Sequence, residues 1–225
     1  MIVGVLAPIA VLGAIALVVI LFLQRGKDGL DLSPRNILRL YLYLASLAGI
    51  VVLAIGAASA VNYGIARAAG DTFIYGGAPA FAFARPCPPD DTKCTQPSVE
   101  EIAREEQRQT AERERRRNED LIRGITYFVF GGLFWVAHWA ARRGLGEEGV
   151  AGLRRGYLML GTIVFGLATI VLLPTGIYQA LSNVLLATPE DFYRPGADAL
   201  GGGIVSLPIW LFYLRLVVSE FRAPA

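Results

Sequence analysis

Apolar residues in this chain are gathered into long runs separated by charged segments. Five runs have the length and composition to cross hydrocarbon, which takes about 20 apolar residues in a helix. They are Ile2 to Leu23, Leu40 to Ala66, Ile125 to Ala141, Tyr157 to about Leu186, and Ile204 to Val218. The fourth is long, and Pro174 is expected to kink or end it. The fifth is short, built around Leu-Pro-Ile-Trp-Leu-Phe-Tyr. A bilayer core offers no partner for a backbone amide, so each run predicts a helix that satisfies its own hydrogen bonds. The predicted fold is all-α, a polytopic membrane protein with five transmembrane helices.

The first run reads as a retained helix rather than a cleaved signal. Only Met1 precedes it, it exceeds the roughly 7–15 residues of a signal core, and its positive flank (Arg25, Lys27, Arg35, Arg39) comes afterwards. Excess Lys and Arg mark cytoplasmic loops. The stretch from Gln24 to Arg39 is then inside, as is Arg142 to Arg155. The loop from Thr188 to Gly203, with Glu190, Asp191 and Asp198 against Arg194, is outside. The N-terminus falls outside and the C-terminus inside, in a bacterial cytoplasmic membrane. The chain divides into an N-terminal helix (1–24), a cytoplasmic loop (25–39), a first hairpin (40–141) with an extracytoplasmic insert (67–123), a second cytoplasmic loop (142–155) and a second hairpin (156–225).

The insert holds Cys87 and Cys94, eight residues end to end in Cys-Pro-Pro-Asp-Asp-Thr-Lys-Cys. In an oxidising compartment this pair predicts a disulfide, with two free thiols as the alternative. A redox-active pair would be expected as Cys-x-x-Cys. Asp90 and Asp91 lack the pattern of a calcium loop. After Pro97, Ser98-Val-Glu-Glu101 is a capping box, and no Gly or Pro appears until Gly124. Glu100/Arg104, Glu112/Arg116 and Glu119/Arg123 are favourable i,i+4 pairs, each contributing a few tenths of a kcal/mol. The segment lacks an apolar stripe, so it predicts a polar helix that is marginal alone and either docks on another protein or is simply solvated. Joined to the third run, it would stand about 35–40 Å beyond the membrane at 1.5 Å per residue.

Two stretches echo each other: Arg39-Leu-Tyr41-Leu-Tyr-Leu-Ala-Ser46 and Arg155-Gly-Tyr157-Leu-Met-Leu-Gly-Thr162. Each opens a hairpin with an arginine and a tyrosine suited to the head-group level. More faintly, Phe134-Trp135-Val-Ala-His138 echoes Ile209-Trp210-Leu-Phe-Tyr213, and Trp135 and Trp139 are further interface anchors. The pattern predicts an N-terminal anchor followed by two copies of one helical hairpin in parallel orientation. The Arg-x-Tyr-Leu-Tyr-Leu opening and the Trp135-x-x-His138-Trp139 close resemble a bacterial integral-membrane domain family of unknown function built from such hairpins. The resemblance covers about Arg35 to Arg143, with a weaker second pass from Arg154 to Arg222. The long insert and the missing His-Trp of the second copy depart from it. It implies fold and location and carries no activity.

Small residues recur along the second run: Gly56, Ala60 and Gly64 at spacing four, with Ala45 and Gly49 ahead of them. Such rows let another backbone approach closely, either within the chain or on a partner.

Composition narrows the chemistry. Of 225 residues 18% are charged, against about 25% in soluble domains, and mean hydropathy is +0.49. A net charge of +2 with acids interleaved among the arginines points away from nucleic acid. One histidine and two cysteines do not make a zinc or iron–sulfur site. His138, with Met159 as the sole internal second ligand, is a weak haem candidate, and no cofactor is expected. Arg215 can snorkel to the surface. Asn62, Tyr63, Tyr178 and Gln179 cap helix ends or line a polar vestibule. No phosphate loop, catalytic triad or pair of intramembrane carboxylates appears, so an enzyme is not expected. The reading is a non-catalytic accessory or scaffolding subunit in contact with the bilayer and with other membrane subunits or itself. It would bind through small-residue helix faces and the polar helix. A small transporter or channel component is the alternative.

Overall fold

The computed structural model describes residues 33–77, 98–145, 151–185 and 196–222. The first apolar run and both cysteines lie outside the described residues, so a span over Ile2 to Leu23 and the disulfide stay expectations. The described chain is all-helical. It comprises α1 (Pro34–Ala69), α2 (Asp71–Tyr75), α3 (Val99–Gly144), α4 (Ala151–Leu185) and α5 (Ala199–Arg222). Four of these, α1, α3, α4 and α5, are long and apolar enough to cross a membrane.

Local chemistry sets the ends. Pro34 occupies the first turn of α1, where its missing N–H costs nothing, so the helix starts ahead of the apolar run. At the other end Gly70 adopts φ +98° and its N–H returns to the Ala66 carbonyl at 3.0 Å, turning the chain into α2. The capping box forms: the Ser98 N–H donates to Glu101 Oε2 at 2.7 Å and the Glu101 N–H to Ser98 Oγ at 3.3 Å. From there α3 is one helix of 46 residues, charged in its first half and apolar in its second. Pro174 does not end α4, and α5 likewise runs through Pro208. Next to Pro174, the Thr175 hydroxyl donates to the Val171 carbonyl at 2.6 Å.

α1 and α3 form one antiparallel hairpin, α4 and α5 another, with α1 also packed on α5 and α4. Glycines set the first interface. A Cβ on Gly49 would lie 2.9 Å from the Trp135 nitrogen, and one on Gly131 would lie 2.5 Å from that of Leu53. One on Gly56 would strike the Phe128 nitrogen, and one on Gly124 would come within 3.0 Å of Ala60. Gly49, Gly56 and Ala60 of the α1 row therefore meet α3 of the same chain. Gly64 departs from that row: nothing lies within 4 Å of its would-be Cβ. Beyond Ala60, α3 turns its inner face to α2 instead. In the second hairpin, Gly203 meets the backbone of Leu173, Gly176 that of Leu200, and Gly161 the ring of Tyr213. The core between hairpins is Leu47, Leu158, Phe165 and Tyr213.

Candidate functional site

Polar side chains collect at the two ends of the bundle. One end carries Arg35, Arg39, Arg142, Arg143, Arg154, Arg155 and Arg222. Glu220 is its one carboxylate among the described residues, 3.4 Å from Arg154 and 3.8 Å from Arg155. Arg39 is buried rather than spread at a surface, and its Nη2 donates to the Leu145 carbonyl at 3.2 Å, with Arg35 at 3.3 Å. Both caps serve the C-terminus of α3, where orphan carbonyls and the helix dipole favour cations. Arg142 lies over Tyr43 at 4.5 Å and Tyr157 at 5.2 Å, and Arg143 over Trp139 at 3.7 Å. Its aromatic partners hold each guanidinium plane without neutralising its charge. Arg39, Tyr43, Trp135, Trp139, Arg142, Arg143, Arg154 and Tyr157 surround a cavity of about 350 Å³, closed from within by Tyr213 and Leu158.

Both hairpins place a polar pair at matching points. Tyr41 Oη lies 3.4 Å from His138 Nε2 in the first, and Tyr157 and Tyr213 hydroxyls lie 2.7 Å apart in the second. His138 Nδ1 meets the Phe134 carbonyl at 2.8 Å. A carbonyl only accepts, so Nδ1 donates to it. Both nitrogens of the haem candidate are thus engaged within the hairpin. Met159 is half-exposed on α4.

At the far end α2 acts as a wedge. Ile74 is fully buried, and the Phe73 carbonyl accepts from the Ala197 N–H at 3.1 Å and from Asn183 Nδ2 at 3.5 Å. Three ties join this wedge and its flank to the charged half of α3. The Arg117 guanidinium donates to Asp71 at 2.8 Å, with both side chains four-fifths buried. The Tyr75 hydroxyl donates to Asp120 Oδ2 at 3.0 Å. Arg113 fills the space a Cβ would occupy at Gly77, whose φ of +148° a side chain would rarely adopt. Burial pushes the Asp120 carboxyl above its ordinary range, against the opposing pull of Tyr75 and Arg123. Burial also raises the Tyr75 hydroxyl, and the adjacent Asp120 reinforces it.

Asn62 is a structural clamp that also lines the crevice between the hairpins: its Nδ2 donates to the Asp198 carbonyl at 2.9 Å and its Oδ1 accepts from the Gly201 N–H at 3.2 Å. That fixes α1 to the first turn of α5. Tyr178 is exposed. Beside the clamp a crevice of about 750 Å³ runs between the hairpins. Asp120, Arg123, Glu119 and Arg116 stand at its charged mouth, and Val51, Phe165 and Leu172 line its apolar depth. Sequence reasoning missed Asp71, Tyr75 and Arg117, because residues 46 apart along the chain form no local pattern. It also missed Gly124 and Gly131, whose spacing of seven was the available signal.

Comparisons with protein-family models, with curated proteins and with solved structures returned no match for this chain.

Proposed function

We propose that the chain is a non-catalytic accessory or scaffolding subunit of a bacterial membrane protein complex. Its arginine end faces the cytoplasm, as the positive-inside rule requires, and the charged half of α3 stands on the other side as a docking strut. The observation that carries this reading is the strut's root. A helix polar all round is marginal by itself, yet Arg113, Arg117 and Asp120 tie this one to the α2 wedge while residues such as Glu112, Arg115 and Arg116 stay exposed. Bracing gives the strut a fixed direction, which lowers the ordering cost of binding.

The test is photo-crosslinking in native membranes from Arg108, Glu112 and Arg115, with Leu167 and Ile170 on the exposed apolar face of α4 as controls. The strut positions are expected to give discrete protein adducts that disappear when R117Q loosens the root. Adducts only at the α4 positions would sink the docking role. The crevice favours a second reading, a small transporter or channel component, since its volume and charged mouth suit an amphipathic solute. Solute flux through liposomes holding the purified chain alone would support that reading instead.

A further inference from the structure

We infer that the cavity at the arginine end binds a phosphate group of net negative charge, either the head group of an anionic lipid or inorganic phosphate. Four guanidinium groups, those of Arg39, Arg142, Arg143 and Arg154, line one cavity of about 350 Å³, and no carboxylate lines it among the described residues. Glu220 lies outside the lining, paired with Arg154 and Arg155. Arg142 and Arg143, adjacent in sequence and both lining the cavity, carry like charges that repel one another, and a bound anion relieves that repulsion.

The donors are also oriented. Arg142 Nη1 is buried and makes no hydrogen bond within the described structure, while the plane of the same group is held by Tyr43 and Tyr157. A buried cationic donor without an acceptor is costly, and a phosphate oxygen is the acceptor that a guanidinium fork fits best. Arg143, fixed over Trp139, supplies a second donor from the rim. The adjoining Phe212 and Leu216 give the cavity an apolar flank, and Phe212 is exposed, as an acyl chain beside the head group would need. Basic pockets between membrane helices recognise anionic head groups on this basis. The site does not depend on the docking role of the strut.

The test uses the full-length chain in a detergent without phosphate. Native mass spectrometry would compare retention of phosphatidylglycerol and phosphatidylcholine. A parallel thermal melt would compare sodium phosphate with sodium chloride at equal ionic strength. Phosphatidylglycerol should be retained at a concentration about tenfold lower than phosphatidylcholine, and R143Q should weaken it about fivefold. R142Q should do at least as much. Because R142Q also removes a stacked core contact, the exposed R143Q decides the outcome if R142Q does not fold. R222Q, the same charge change at the same end but outside the cavity, should leave retention unchanged. Stabilisation by phosphate over chloride, lost in R143Q, with no lipid preference, would assign the site to the free anion. Equal retention of both lipids together with equal melts in both salts would overturn the proposal, as would an R222Q effect matching that of R143Q.

Discussion

Asp120 joins several parts of the far end: it accepts from Tyr75, faces Arg123 at 3.6 Å and stands at the mouth of the crevice. Its carboxyl is raised by burial, so the folded chain holds this proton more tightly than the unfolded one. Stability at the strut root therefore falls as pH climbs from the ordinary aspartate value through the raised one, and recovers on acidification. Amide exchange across residues 113–124 should show protection greater near the lower end of that window, and D120N should flatten the dependence while keeping the Tyr75 bond. Glu101 works in the opposite sense. Hydrogen bonds from Ser98 hold its carboxyl below the ordinary range, so the cap is fully formed above the ordinary glutamate value and is lost as pH falls through the lowered one. Exchange at residues 98–102 should accelerate there, and E101Q should remove that step. Arg117→Gln leaves Asp71 four-fifths buried without its cation and should cost about 2 kcal/mol at the root, read as lost protection over α2.

Among elements, α1 and α3 are held by close backbone approach rather than by large interlocking side chains. Gly56→Leu or Gly131→Leu should force the helices apart, lowering stability by about 3 kcal/mol or more, whereas Gly64→Leu should be neutral because its side faces open space. Thermal melts of the three variants in detergent check this, and a G64L loss as large as that of G56L would refute the assigned interface. The contrast shows what periodicity carries. Gly49, Gly56 and Ala60 were readable as a packing row because spacings of seven and four keep residues on one helix face. Where that row loses its neighbour depends on α2, a five-residue helix with no apolar period of its own. The helices themselves were legible because apolar runs and a capping box are local signals. Their extension through Pro174 and Pro208 was not, since neighbouring helices and hydroxyls decide how a missing N–H is tolerated.

For the whole molecule, the two hairpins sit side by side with their arginines at one end, and a charged helix rises from the other. Cysteines placed at Arg108 and Arg222 should react with an impermeant thiol reagent from opposite faces of sealed vesicles; labelling of both from one face would overturn the proposed threading. The polarity of the ends was legible in sequence because charge asymmetry needs no tertiary knowledge. The cavity among Arg39, Arg142, Arg143 and Arg154 was not, because it brings together residues from α1, α3 and α4 that share no motif. One covalent rod, α3, passes from that cavity through the glycine seam to the cap at Ser98, about 70 Å at 1.5 Å per residue. Gly124 and Gly131 pin it near its middle against α1. Capped by Arg35 and Arg39 at one end and tied to Asp71 and Tyr75 further along, it makes the proposed anion site and the proposed docking tip two ends of a single braced element.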